Sequence, residues 1–166
     1  MSTLIIVRGN SGSGKSSVAK KLQKKTGRNT LIISQDTVRR EMLWARDGKC
    51  TAALPLLITL LNYGFLHCEY VILEGILNAD WYMSMFESTI KLFEDRIFAY
   101  YYDIPFDETL KRHRTKEKKF EFGEAEMRRW WNEKDFIRII PEHVFTQEIS
   151  LEDAVNTIMN DISVPM

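Results

Sequence analysis

The chain has 166 residues, of which 45% are hydrophobic, and its 23 lysines and arginines balance its 23 aspartates and glutamates. This length and apolar content suit one domain with a single sizeable core, and the balanced charge argues against a polyanionic partner such as nucleic acid. The longest apolar stretch, 52–66, is interrupted by Pro55 and Gly64 and falls short of the about 18 residues that a membrane span requires. Cys50 and Cys68 fit neither a disulfide framework nor a metal quartet, so we expect two buried thiols in a cytosolic protein.

A glycine-rich octet follows the first apolar run. The run 4–7 (LIIV) has the composition of a buried strand, and residues 9–16 read G-x-x-x-x-G-K-S, which is the P-loop pattern. Glycines let the backbone wrap an anion with its N–H groups pointing inward, and the next helix adds its positive N-terminal dipole. We therefore predict a triphosphate site in which Lys15 contacts the β- and γ-phosphates and the Ser16 hydroxyl holds Mg²⁺. The predicted nucleotide-binding residues here are Gly9, Asn10, Ser11, Gly12, Ser13, Gly14, Lys15, Ser16 and Ser17.

An acid and two arginines follow the second predicted strand. A helix after the P-loop leads into the apolar strand 30–34 (TLIIS), which makes a βαβ unit with the first strand. Asp36, Arg39 and Arg40 come next, at the edge where open parallel sheets place their ligands, and we predict that they bind substrate. The alternative is that Asp36 only caps the following helix, because Asp is a favoured N-cap, while the arginines form a solvated face.

A second acid closes the third predicted strand. A mostly apolar helical region over 49–68 precedes the strand 69–75 (EYVILEG), which carries Glu74 near its end. An acid at this position commonly orders a metal-bound water or contacts substrate, and Glu74 is a candidate for both roles. The alternative is a helix cap or a loop salt bridge. The next predicted helix, 80–93, is rich in aromatic residues, a pattern more typical of core than of a binding site.

A basic helix and a charged segment follow the fourth predicted strand, 96–104. The helix predicted over 108–118 concentrates positive charge, which suits either a solvated face or a source of cations for phosphoryl transfer; beside a P-loop the second interpretation is favoured. We predict that segment 120–135 is a mobile cover that excludes water. A last strand at 142–148 and a helix capped by Ser150 complete an alternation of strands and helices that predicts a doubly wound parallel α/β domain.

Four segments occur in a fixed order: GNSGSGKSS at 9–17, SQDTVRREM at 34–42, VILEG at 71–75 and DIPFDETLKRHRTKEKKFEFG at 103–123. With them the chain resembles the P-loop small-molecule kinases, which include adenylate, gluconate and shikimate kinases. It resembles more closely the branch with chloramphenicol phosphotransferase, the zeta toxins and the kinase domain of polynucleotide kinase. The resemblance implies a P-loop NTPase three-layer sandwich with a five-stranded parallel sheet of order 2-3-1-4-5. It also implies a single domain over 1–166 with a helical lid at about 108–135, and ATP and Mg²⁺ as cofactors.

The same resemblance implies roles for single residues. Asp36 matches the aspartate that takes the proton from the substrate hydroxyl, and Arg39 or Arg40 would lie near the acceptor. The basic helix matches the lid whose arginines contact the phosphates. Because a lysine stands at position 116, where the family often has arginine, the phosphate contact is open among three residues. The candidates, of which Arg112 ranks first, are Arg112, Arg114 and Lys116.

The predicted function is transfer of the γ-phosphoryl group of ATP to a hydroxyl of a small molecule: a nucleoside, a sugar or an antibiotic-like compound. Two other classes stay open. One is a kinase of nucleic-acid 5′-hydroxyls or of nucleotide sugars, and the neutral charge balance weighs against its nucleic-acid form. The other is an ATP-hydrolysing nucleotide switch. Residues 132–135 (NEKD) break the order of the N-K-x-D guanine-binding signature, which argues against a GTP-specific switch.

Overall fold

A computed structural model of the chain describes residues 2–115 and 120–164. Its five strands are β1 (Thr3–Gly9), β2 (Thr30–Ser34), β3 (Tyr70–Gly75), β4 (Ile97–Tyr102) and β5 (Glu142–Phe145). Its α-helices are α1 (Lys15–Thr26), α2 (Ala53–His67), α3 (Met83–Phe93), α4 (Phe106–Arg114), α5 (Glu124–Arg129) and α6 (Leu151–Ser163). All strands pair in parallel in the order β2-β3-β1-β4-β5, which confirms the predicted α/β fold and strand order.

The central strand β1 divides the core into two halves. Leu4 and Ile6 face one side and pack in a cluster with residues of α2 and α3, whereas Ile5 and Val7 face the other side with residues of α1 and α6. All four side chains are fully buried. A parallel strand covered by helices on both faces has no solvated side, and this explains why the run is apolar without alternation.

Two helices, α2 and α3, begin later than the sequence pattern predicts. The helical region predicted from residue 49 begins at Ala53, because Gly48 and Cys50 have positive φ values of 144° and 65° that no α-helix accommodates. Pro55 lies within the first turn of α2, where its missing N–H is not needed. The next helix likewise starts at Met83 rather than at residue 80.

The expectation that both cysteines are buried is wrong. Cys50 is exposed in the turn before α2, and Cys68 is only partly buried at the carboxyl end of that helix; both are free thiols. The cap of the last helix is confirmed, because Ser150 Oγ accepts a hydrogen bond of 3.0 Å from the Asp153 backbone N–H. Across the described segments, no helix combines the length and hydropathy of a membrane span.

The carboxyl ends of the first three strands meet at one edge of the sheet. Arg8 of β1 pairs with Gly75 of β3, and Ser34 of β2 pairs with Glu74. The P-loop after β1, the segment after β2 and the end of β3 therefore lie side by side. A π-helical segment, Thr37–Met42, begins three residues after Ser34, the last residue of β2, and has Asp36 as its N-cap residue.

Candidate active site

Two glycines of the P-loop hold backbone conformations that other residues rarely adopt. Gly12 has φ 81°, and a Cβ there would lie 2.6 Å from the Thr109 carbonyl oxygen of α4. Gly14 caps the N-terminus of α1 with φ 105°, and a Cβ there would meet nothing within 4 Å. The loop thus requires glycine for two reasons: a close approach of α4 at Gly12, and left-handed backbone at both positions.

The lysine and serine of the P-loop lie at the start of α1. Lys15 is 8% exposed, and its Nζ donates hydrogen bonds to the Asn10 carbonyl oxygen at 2.8 Å and to Ser13 Oγ at 3.3 Å. Ser16 Oγ donates to Glu74 Oε1 at 3.1 Å, and Glu74 is buried. A hydroxyl and a carboxylate are the oxygen donors that Mg²⁺ prefers, so these two side chains fit a magnesium ion shared with phosphate oxygens.

A first cavity of about 460 Å³ opens in front of the P-loop. Its lining includes residues 11–12 and 14–17 together with Asp36 and Glu74, so the structure brings most of the predicted donor-side residues to one place. Three predicted nucleotide-binding residues, Gly9, Asn10 and Ser13, do not line it. His113 of α4 also lines it. That ring is 4% exposed, stacks on Phe122 at 4.5 Å, and has its Nε2 2.8 Å from the Phe122 carbonyl oxygen.

A second cavity of about 590 Å³ adjoins the first. Asp36 lines both cavities and stands at their junction. Its Oδ1 accepts a hydrogen bond of 3.0 Å from Arg39 Nη2 and lies 3.6 Å from Arg40 Nε. The Asp36 side chain makes no capping hydrogen bond to the following helix, so the alternative that it is only a cap is wrong. Arg39 and Arg40 line the second cavity rather than a fully solvated face.

The three candidate cations of the predicted lid differ in position. Arg112 donates to the Ser13 carbonyl oxygen at 3.1 Å, to the Gln147 carbonyl oxygen at 3.0 Å and to Glu108 Oε1 at 3.1 Å. It therefore contacts the P-loop from outside and does not line either cavity. Arg114 is exposed and also lies outside both linings. Lys116 falls outside the described residues, so a phosphate contact by any of the three stays a prediction.

The side chain of Asn10 has a partner that sequence spacing does not reveal. Its Oδ1 accepts a hydrogen bond of 2.8 Å from the Asn132 backbone N–H, and its Nδ2 donates to the Asn132 carbonyl oxygen at 2.7 Å. This reciprocal pair ties the P-loop to the segment after α5. The backbone of Asn10 remains part of the predicted nucleotide site, while its side chain holds the predicted lid in place.

A polar cluster joins the exposed Asp47, which lines the second cavity, to the buried Gln35 and Tyr82. Asp47 accepts hydrogen bonds from Gln35 Nε2 at 2.8 Å and from the Tyr82 hydroxyl at 2.7 Å. Burial, together with this carboxylate, raises the pKa of Tyr82 well above its ordinary value, so the phenol stays protonated and keeps donating. Tyr82 is fully buried, whereas its neighbour Trp81 is 40% exposed and lines the second cavity.

The fold and the glycine loop define this protein as a P-loop α/β protein. A family model described as an AAA domain (AAA_33) matches residues 4–131, and the chain belongs to that family. A search of the curated proteins finds no match.

Three solved structures show the same fold over nearly the whole chain. A gluconokinase from Sinorhizobium meliloti 1021 is 15% identical with a TM-score of 0.69, covering 97% of this chain and 91% of its own. A tunicamycin resistance protein from Deinococcus radiodurans is 14% identical with a TM-score of 0.68, covering 99% and 98%. The Mycobacterium tuberculosis APS kinase CysC, solved with AMPPNP and APS, is 16% identical with a TM-score of 0.67, covering 98% of each chain.

Proposed function

We propose that this protein transfers the γ-phosphoryl group of ATP to a hydroxyl of a small molecule. The observation that carries the proposal is the position of Asp36, which lines both the P-loop cavity and the adjoining second cavity. A donor bound on one side and an acceptor on the other would meet at this carboxylate. Phosphoryl transfer depends mostly on such positioning, because its transition state is loose.

On the donor side, the loop backbone and Lys15 would bind the phosphates of ATP. The present hydrogen bonds of Lys15 to Asn10 and Ser13 would be exchanged for bonds to phosphate oxygens. Ser16 and, through water, Glu74 would hold the magnesium ion, which neutralises charge on the phosphates when bound. Arg112 lies beside the loop, and we propose that it or Arg114 or Lys116 adds positive charge to the transferring group.

On the acceptor side, Asp36 accepts a hydrogen bond from the attacking hydroxyl and aims its oxygen at the γ-phosphorus. The acceptor oxygen forms a bond to phosphorus, the bond from phosphorus to the β,γ-bridging oxygen breaks, and ADP leaves. The hydroxyl proton passes to Asp36 and then to solvent. Arg39 and Arg40 hold the carboxylate in this orientation and lie where they would contact the acceptor. Segment 108–135 would act as the lid that excludes water as a competing acceptor.

The structural relatives support a small-molecule acceptor without naming one. A gluconokinase and an APS kinase are kinases by name, and both share the fold with this chain over nearly its full length. We keep the branch of chloramphenicol phosphotransferase, zeta toxins and polynucleotide kinase as the proposed placement within the P-loop kinases. A nucleotide switch would need no second cavity at the general base, and the cavity beside Asp36 therefore favours a kinase.

Two substitutions test the proposal. In an assay of ADP release stimulated by a panel of hydroxyl compounds, Asp36→Asn should lower kcat about 100-fold or more, because it removes the proton acceptor. Its affinity for a non-hydrolysable ATP analogue should stay within about twofold of wild type, since Asp36 acts on the acceptor. Lys15→Ala should lower both kcat and the affinity for the ATP analogue.

The matched control is Asp95→Asn, because Asp95 is exposed in the turn before β4 and lies outside both cavities. This variant should behave as wild type. Full turnover by Asp36→Asn on an active acceptor would refute the assigned base. ADP release that no hydroxyl compound stimulates would refute the kinase itself.

A further inference from the structure

We infer that the second cavity binds an acceptor that combines a planar ring with a phosphate or sulfate group, as a nucleoside monophosphate does. The inference rests on the proposed function and goes on to name the substrate class. Its basis is the lining of the cavity, which joins four arginines, two aspartates and two tryptophans around the proposed base. The residues that carry it are Arg39, Arg40, Arg46, Arg129, Trp81 and Trp130.

The lining of the second cavity carries net positive charge. It contains four guanidinium groups and two carboxylates, those of Asp36 and Asp47, and from outside the lining Glu121 lies 3.8 Å from Arg40 Nη1. Asp47 is occupied by the neutral donors Gln35 and Tyr82. Arg46 and Arg129 are exposed, and neither side chain forms a hydrogen bond or ion pair within the described part of the chain. An anionic ligand would supply the missing charge.

The two arginines next to Asp36 are not fully hydrogen-bonded. The Nε atoms of Arg39 and Arg40 are buried and make no hydrogen bond to a described residue, although Arg40 Nε lies 3.6 Å from Asp36 Oδ1. The planar guanidinium fork matches the oxygens of phosphate and sulfate, and such charge-assisted bonds are about twice as strong as neutral ones. A neutral sugar would offer no anionic group to pair with these arginines.

The aromatic residues provide a place for a planar ring. Trp81 lines the cavity and keeps 40% of its surface exposed. Trp130 also lines the cavity, and its ring lies 5.4 Å from the Arg40 guanidinium and 5.0 Å from the Phe122 ring. Planar bases stack on such side chains in nucleic-acid complexes. A volume of about 590 Å³ suits a small molecule rather than a polymer.

A binding experiment on the whole protein tests both halves of the inference. The probes are the four common ribonucleoside 5′-monophosphates, their nucleosides and ribose 5-phosphate, titrated calorimetrically with a non-hydrolysable ATP analogue kept saturating. Nucleosides offer the ring alone, ribose 5-phosphate the anion alone, and monophosphates both. At least one monophosphate should bind ten-fold or more tightly than its nucleoside and than ribose 5-phosphate. Equal or weaker binding of every monophosphate would overturn the inference.

Neighbouring arginines provide a matched pair of variants. Arg129→Gln should lower the affinity for the best-binding monophosphate about ten-fold, because one charge-assisted contact is lost. The affinity for the corresponding nucleoside should not change. Arg128→Gln is the control: Arg128 pairs with Glu124 at 3.0 Å, lies over Phe106 at 4.2 Å and is outside the cavity. Equal effects of the two substitutions would overturn the inference.

The ring is tested by Trp81→Leu. This variant should bind nucleosides and monophosphates more weakly than wild type does, and its affinity for ribose 5-phosphate should be unchanged. Uniform weakening of all three probes would overturn the stacking role. Binding of single-stranded DNA that is tighter than that of any monophosphate, and that falls steeply with salt, would replace the small ligand by a nucleic acid.

A second readout, ADP release, separates this inference from the proposed function. Monophosphate binding that Arg129→Gln weakens, without any stimulated ADP release, would support the ligand class and refute the kinase. Phosphorylation of neutral hydroxyl compounds with a kcat/KM equal to that of their phosphate esters would keep the kinase and overturn the ligand class.

Discussion

Arg8 illustrates how one residue joins distant parts of the chain. It lies in β1, is 0% exposed, and makes five hydrogen bonds to Leu77, Asp135 and Glu142. Burial raises the pKa of Glu142 even though the Arg8 charge beside it acts to lower that pKa. Buried carboxylates are tolerated when a paired charge and hydrogen bonds compensate them, and Arg8 supplies both.

We expect Arg8→Met to lower the free energy of unfolding by about 3–5 kcal/mol, because it leaves two carboxylates without their buried counter-charge. Urea denaturation of the purified variant measures this change. Arg138→Met is the control, since Arg138 is exposed, and it should change stability by about 0.5 kcal/mol or less. Adding Glu142→Gln to Arg8→Met should recover part of the loss. A double variant no more stable than Arg8→Met would show that the pairing is not the cause.

At the scale of elements, the predicted lid is attached to the P-loop at three points. Gly12 lies directly against α4 at Thr109, Arg112 of the same helix donates to the Ser13 carbonyl oxygen, and Asn10 pairs with the backbone of residue 132. The segments on both sides of residues 116–119 thus contact the loop. Phosphate binding that rearranges the loop would therefore act on the lid through these contacts.

Gly12 and Gly14 separate two effects of a side chain in the P-loop. Both have positive φ, so either alanine costs about 1–2 kcal/mol of backbone strain. Only Gly12→Ala also forces its Cβ onto the α4 backbone. We expect Gly12→Ala to lower the Tm and the affinity for an ATP analogue more than Gly14→Ala does, as measured by thermal denaturation and calorimetry. Equal losses of Tm would show that α4 shifts to make room for the Cβ at position 12 without a further loss of stability.

At the scale of the whole molecule, four tyrosines are buried in or beside the sheet. Tyr82, Tyr100, Tyr101 and Tyr102 are each 3% exposed or less. Burial raises the pKa of all four above the ordinary value, and it raises the pKa of Tyr102 to about 12. Their phenols must stay neutral for the sheet and its helices to pack as they do.

These pKa shifts predict alkaline unfolding. The stability that the tyrosines contribute is fully present below pH 10, near their pKa in an unfolded chain, and is lost as the pH rises towards about 12. Stability should therefore fall above pH 10. Tyrosinate absorbance should rise together with the loss of helical circular dichroism, and Tyr102→Phe should make the pH dependence less steep. Complete tyrosinate formation with unchanged circular dichroism would contradict the prediction.

Much of the fold and part of the candidate site could be predicted because their signals are local. The P-loop pattern spans eight residues, and the apolar runs that end at Ser34 and Gly75 each carry their own strand signal. Since parallel strands end at the same edge, Asp36 and Glu74 could be placed near the P-loop without coordinates. Helix starts were less predictable: the left-handed turn at Cys50, which delays α2 and exposes the thiol, has no clear sequence signal.

The sequence by itself determined the class of fold, the strand order expected by resemblance and the identity of the phosphate-binding loop, because each depends on short patterns and their order. Only the tertiary structure decided that Asn10 pairs with residue 132, that Arg8 is buried between two acids, and that Arg112 contacts the loop from outside the cavity. The second cavity was likewise decided only by the tertiary structure, since its arginines and tryptophans come from three separate segments. These contacts join residues far apart in the chain, and packing against the completed sheet, rather than any local preference, selects their partners.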